Sequence, residues 1–124
     1  MSMPVTCCRL YANDTGESHF QEFSLETNAV QYAPPAPAFD VTAPLPASSA
    51  FFVRFPEGWD DRAHPSPRRQ LFIVLEGEIE GSTGLGQSHI FRIGDHVLLE
   101  DTHGKGHGAR PLKGEALAMI IALE

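Results

Sequence analysis

The sequence predicts an all-β protein with little helix, a barrel made of two packed antiparallel sheets, and two observations predict it. Gly and Pro recur so often that long helices have no room, and the longest stretch free of both runs only from residue 17 to 33. Between these breaks lie short apolar runs of strand length separated by Gly turns, which is the pattern of a sandwich or barrel.

Taken in order, residues 1–49 read as N-terminal strands and a Pro-rich arm. Within 17–33, Phe23 and Leu25 alternate as in a strand, and nothing continues Phe20 and Phe23 along one helical face. Residues 33–47 carry Pro34, Pro35, Pro37, Pro44 and Pro46. They read as an extended arm across the barrel with Phe39 and Val41 tucked in; a polyproline ligand for another domain is the alternative. A strand follows at 50–55, with Phe51, Val53 and Phe55 on one face. Residues 71–75 are apolar on both faces, as in a strand buried between sheets, and continue in more polar form through Glu80. Residues 81–88, with three glycines, form a hairpin turn, and 89–93 return. Gly94 and Asp95 turn again before the doubly buried run 97–99. After a glycine-interrupted stretch come 109–112, a turn at Lys113 and Gly114, and a closing apolar strand at 116–123. The expected core includes Phe51, Val53, Phe55, Phe72, Val74, Val97, Leu99, Leu117 and Met119.

At 124 residues the chain is read as a single domain, 1–124. Its net charge of -7 argues against nucleic acid and against anionic membrane surfaces. No stretch approaches the ~18 apolar residues of a membrane span, and the N-terminus lacks the basic start and apolar run of a secretion signal. The only cysteines, Cys7 and Cys8, are adjacent and would point to opposite faces of a strand, so they read as thiols of a cytoplasmic protein. The two-faced apolar strands and the arm offer more apolar surface than one small barrel encloses, which predicts a homodimer.

The middle of the chain carries a spaced motif. Gly58 is followed by five residues, then His64-Pro65-Ser66, three residues, Gln70, six residues and Gly77. This frame resembles the first motif of the cupin superfamily, whose barrel is a jelly roll of the RmlC type; Ser66 stands at its second His and Gln70 at its Glu. Gly94 opens the second motif, with Glu100 and Thr102 in place of its Pro and Gly. Lys105 falls at the expected His, between His103 and His107. The run from Glu100 to His107 is similar to that of small bacterial cupins with a Gly-Lys-Gly-His stretch. The resemblance covers residue 50 onward.

A cupin site works because residues of one parity face the barrel interior. His64, Ser66, Arg68 and Gln70 share parity, as do His103 and His107. The resemblance implies His64, Gln70 and His107 as ligands of a divalent ion such as iron, zinc, nickel or manganese, or else a metal-free polar pocket. Ser66, Arg68, Phe72 and His103 are the expected pocket lining. Arg68 has two readings, a clamp for a carboxylate or phosphate and a surface ion pair with Asp60 or Asp61. Trp59 and Phe55 are candidates for the pocket entrance, while His19, His89 and His96 read as surface or edge residues. Three functions follow from these residues. One is small-molecule binding without deducible activity. The second is a metal-dependent, dioxygenase-like enzyme using His64, Gln70 and His107. The third is a metal-free sugar isomerase or epimerase with His64 as base beside Asp60 or Asp61.

Overall fold

The computed structural model describes residues 3–60 and 62–124, and Asp61 lies outside the described residues. Its regular elements are β1 (Val5–Ala12), β2 (Ser18–Leu25), β3 (Thr27–Val30), β4 (Phe39–Thr42), β5 (Ala47–Phe55) and β6 (Gln70–Glu76). They continue as β7 (Ile79–Thr83), β8 (Ser88–Phe91), β9 (His96–Glu100), β10 (His107–Pro111) and β11 (Ala116–Leu123). Among the described residues there is no helix, and so none long and apolar enough to cross a membrane.

A six-stranded sheet in the order β2-β1-β9-β6-β11-β5 faces a three-stranded sheet in the order β10-β7-β8. Leu10, Phe72, Val74, Val97, Leu99, Ala116 and Ala118 from the first meet Ile79 and Phe91 from the second in one core. This is the all-β, two-sheet arrangement of a jelly roll. The expectation of purely antiparallel sheets is corrected at one ladder. There β1 runs parallel to β9, with Leu10 opposite Leu99. Those strands are far apart in sequence, so no hairpin turn forces them antiparallel.

The core face of β11 is also corrected. Ala116, Ala118 and Ala122 are buried, whereas Leu117 and Met119 are only half-buried on the opposite face. The register explains it, because Ala118 lies opposite Val74 and Val53, while Leu117 lies beside Arg54 and Glu76. Small side chains face the densely filled interior, where larger ones would collide. Phe51 lies on the inward side of β5, opposite Ile120, yet is 48% exposed. β5 is the edge of a six-stranded sheet, and a three-stranded partner does not reach it.

The arm differs from its expectation too. β3 and β4 pair with each other as a separate two-stranded ribbon. Phe39 is exposed rather than tucked in, and Val41 is half-buried.

Ala118→Leu should lower stability by about 1–3 kcal/mol through overpacking. Leu117→Gln should stay within about 1 kcal/mol, since its face keeps contact with water. Urea denaturation of both variants checks the inverted face, and the opposite ranking would refute it.

Candidate functional site

Three stretches remote in sequence meet at one end of the sandwich. His64 N donates to His107 O and His107 N donates to His64 O, both at 3.0 Å, and Ser66 N donates to Asp101 O at 2.9 Å. Gly106 has φ +77, and a Cβ there would run into the backbone of His64 and Pro65. Only Gly lets the two segments approach this closely. Gly104 likewise packs on the backbone of Gly16. Both glycines of the Gly-Lys-Gly-His run thus serve close approach, and Lys105 between them is exposed and pairs with Glu17 at 2.6 Å.

Asp101 is fully buried, and its Oδ2 accepts two hydrogen bonds. One comes from the buried Ser18 Oγ at 2.8 Å and the other from His107 Nδ1 at 2.7 Å. With Nδ1–H committed to the carboxylate, His107 takes the tautomer whose Nε2 is an acceptor. Asp101 Oδ1 and the Oγ1 of Thr83, which lies opposite His107 in the β7–β10 ladder, have no partner among the described residues.

His107 forms part of the wall of a cavity of about 40 Å³ between the sheets. The rest of that wall is apolar, from Leu10, Phe20, Phe72, Ile79, Gly81, Phe91, Val97, Leu99 and Ala109. Small-molecule cavities usually measure ~300–1,000 Å³, so the barrel interior is nearly filled by its own side chains. Phe20, a half-buried ring on the edge strand β2, forms one side of its wall.

The expected site residues divide. His107 and Phe72 reach the cavity. The rings of His64 and His107 lie 5.7 Å apart, but His64 is exposed, and its Nδ1 donates to Pro65 O at 2.7 Å. Gln70 lies inward between Leu99 and Ala122, is 8% exposed, and its carboxamide is hydrogen-bonded by no described residue. Ser66 is buried, and its Oγ donates to Arg68 O at 2.7 Å. That local bond bends the chain between Pro65 and Arg68 and breaks the parity on which Arg68 was placed inside. Arg68 is instead exposed, with Nη2 donating to Ser48 Oγ at 3.2 Å and Leu123 O at 3.5 Å. His103 is exposed in a turn, away from the cavity lining. Phe55 packs between Trp59 and Phe72 in tilted contacts, with ring centroids 5.0 and 6.1 Å away.

Asp101 is the functional residue that sequence reasoning missed, and a signal for it existed. It continues the inward register of Val97 and Leu99, so an acid there had to be buried and paired.

The donor set does not fit a resident divalent ion. It offers two imidazoles, one of them at the surface, and a neutral carboxamide, and the carboxylate of Asp101 is engaged by His107 Nδ1. Among the described residues no three His, Cys, Asp or Glu side chains group as metal ligands.

A second cleft of about 210 Å³ lies elsewhere, lined by Cys7, Cys8, Glu22, His89 and His96 among others. Burial pushes both thiols up from their usual range, and for Cys8 the neighbouring Glu22 and Cys7 add to it.

No family model matches the chain, and no curated protein matches it. Solved structures similar to it include the cupin domain of Cnp3 from Schizosaccharomyces pombe, at TM-score 0.48 and 16% identity over 98% of this chain and 84% of that one. Another is an RmlC-like cupin protein from Desulfovibrio desulfuricans, at TM-score 0.46 and 15% identity over 96% and 81%. The facing sheets make the fold an all-β jelly roll, and the Gly58–Gly77 frame resembles the first motif of the cupin superfamily. The interior is nearly filled and has one carboxylate-held histidine in its wall.

Asp101→Ala should cost about 3 kcal/mol, because Ser18 and His107 lose a buried anionic acceptor, and Ser18→Ala about 1–2 kcal/mol. Denaturant titration measures both, and equal small effects would show that the cluster is not structural. Cys8 should alkylate more slowly than a free thiol at pH 7. Its rate should still be climbing above about pH 9, where an ordinary thiol with pKa near 8.5 levels off. Iodoacetamide labelling of Cys7→Ser against pH reads this directly.

Proposed function

We propose that the barrel binds a small, largely apolar molecule carrying one hydrogen-bonding group, with His107 as its polar contact. The observation behind this reading is an otherwise apolar cavity into which one imidazole projects, fixed in tautomer and direction by the buried Asp101. Apolar walls with a few placed polar groups are the ordinary composition of small-molecule sites. Because the cavity is small, a ligand of more than a few heavy atoms enters by displacing Phe20 at the open edge.

The Asp101–His107 pair also favours a second reading, acid–base catalysis without metal. A histidine held through Nδ1 by a carboxylate presents Nε2 to take up a proton from a bound substrate. This role falls to His107 with Asp101, in place of His64 with Asp60 or Asp61. Turnover that survives chelation and disappears in His107→Gln would distinguish catalysis from binding alone.

The binding reading is tested with phenol and short-chain alcohols as probes, followed by the methyl resonances of Val97 and Leu99 in the cavity wall. Saturable shifts are expected in the parent, stronger in Phe20→Ala, and weakened up to about tenfold in His107→Ala by loss of one hydrogen bond. If neither the parent nor Phe20→Ala shows saturation, the cavity is plain core and the proposal fails. In the same samples zinc and iron(II) should bind without defined stoichiometry. Gln70→Glu, which buries an unpartnered carboxylate, should melt below the parent.

A further inference from the structure

We propose that Thr83 is the second polar anchor of the cavity, and that Thr83 and His107 together select a neutral alcohol as its ligand. This rests on the binding reading and goes further by naming the ligand's polar group.

Strand pairing sets the two side chains next to each other. Thr83 lies directly opposite His107 in the β7–β10 ladder. His107 spends both its backbone N and its backbone O on His64, and in an extended strand both groups of one residue point to the same side. Neither is left for Thr83, so the two residues form a non-hydrogen-bonded pair, the kind whose Cα atoms approach to about 4.5 Å. Their side chains stand as neighbours on one face. The next pair on that face is Ala109 opposite Gly81, and both of these line the cavity. The cavity wall at this sheet is thus made of two residues with little or no side chain, immediately beside Thr83 and His107.

The polar atoms at this place are unspent. Thr83 is 9% exposed, and its Oγ1 is buried without a hydrogen-bond partner among the described residues. His107 gives Nδ1 to Asp101, and no described residue hydrogen-bonds its Nε2. A buried hydroxyl without a partner costs stability, and here it flanks an apolar cavity next to the one imidazole that reaches into it.

The two groups ask for different things. Nε2 of the neutral imidazole only accepts, whereas the threonine hydroxyl can donate. A ligand hydroxyl answers both at once, donating to Nε2 and accepting from Thr83 Oγ1. A ketone or ether only accepts, and so satisfies Thr83 alone. A carboxylate would bring a second anion close to Asp101 in largely apolar surroundings. An ammonium group has no lone pair to accept from Thr83, and it too would carry a charge into apolar walls. The class that fits is a small neutral alcohol.

Cyclopentanol, cyclopentanone and cyclopentane share one carbon ring and differ in the polar group. Their binding is followed by the methyl resonances of Val97 and Leu99, in the parent and in Phe20→Ala. Cyclopentanol is expected to bind tightest, ahead of the ketone by about tenfold, which is the worth of one hydrogen bond. Thr83→Val keeps the shape of the side chain and removes the hydroxyl. It should weaken cyclopentanol and cyclopentanone alike by about tenfold and leave cyclopentane unchanged, which also shows the cavity intact. Thr83→Ser, which keeps a hydroxyl, should hold both close to the parent. His107→Ala should erase the advantage of the alcohol over the ketone. Unchanged alcohol affinity in Thr83→Val, or cyclopentane weakened as much as the alcohol, overturns the role of Thr83 while binding at His107 stands. An alcohol that binds no better than the ketone overturns the selection. If none of the three saturates either protein, the binding reading fails and this inference fails with it.

Discussion

The buried carboxylate of Asp101 holds Ser18 at the start of β2 and His107 at the start of β10, while its backbone oxygen accepts from Ser66 N. Three stretches separated by dozens of residues are therefore pinned to one residue, two through its side chain and one through its backbone. A buried carboxylate is tolerable only while such partners stay in place, so any shift of these segments carries a large penalty. The close approaches at Gly104 and Gly106 exist to permit this convergence. A β-carbon at Gly106 would push the 64–66 segment off β10 and take Ser66 away from Asp101. The orientation of His107 is one consequence of this cluster among several, and it is the one with chemical use.

The departures from the cupin motif and the filling of the barrel belong together. Where the motif expects a second imidazole, Ser66 is buried and spends its hydroxyl on Arg68 O. Where it expects a third, Lys105 reaches outward to Glu17. Inside, Leu10, Phe72, Phe91, Val97 and Leu99 leave about 40 Å³. An ion with its water would need polar walls and room, and these residues supply neither beyond His107. Local chemistry and global packing agree on an interior filled mainly by apolar side chains, and agreement across levels is what a well-specified fold shows.

Much of the fold was legible because its signals are local. Gly turns and strand-length apolar runs mark β5, β6 and β8 through β11 to within a few residues, whereas β7 reads in the sequence as the tail of β6 and part of the 81–88 turn, and the structure gives it to the other sheet. Two further things were not legible, each for a physical reason. β11 is apolar on both faces, so alternation could not say that Ala118 rather than Met119 faces inward. That choice is made by its neighbours, Val74 and Val53 inside against Arg54 and Glu76 outside. The parallel β1–β9 ladder depends on a long return with no turn chemistry to announce it. At the site, the frame from Gly58 to Gly77 located His64 and Gln70. Parity then failed at Arg68, because a side-chain bond within the Pro65-Ser66-Pro67 segment bends the chain that parity assumes to be straight.

The distribution of charge follows the same division between barrel and arm. Arg9 and Arg69 share Glu100, and Arg54 reaches Glu76 and Glu115. Arg92 and Lys113 share Glu78, Arg110 meets Glu80, and Lys105 meets Glu17. Most of these pairs are at least partly exposed and contribute little to stability individually. Their collective effect is electrostatic. With most of its cations already committed to carboxylates, the barrel presents to its surroundings a field dominated by the excess acids. Arg54, near the end of β5, is the first cation after Arg9, and residues 27–53 before it hold a single formal charge. The excess of acid is thereby carried by the barrel strands and their turns and hardly at all by the β3–β4 ribbon.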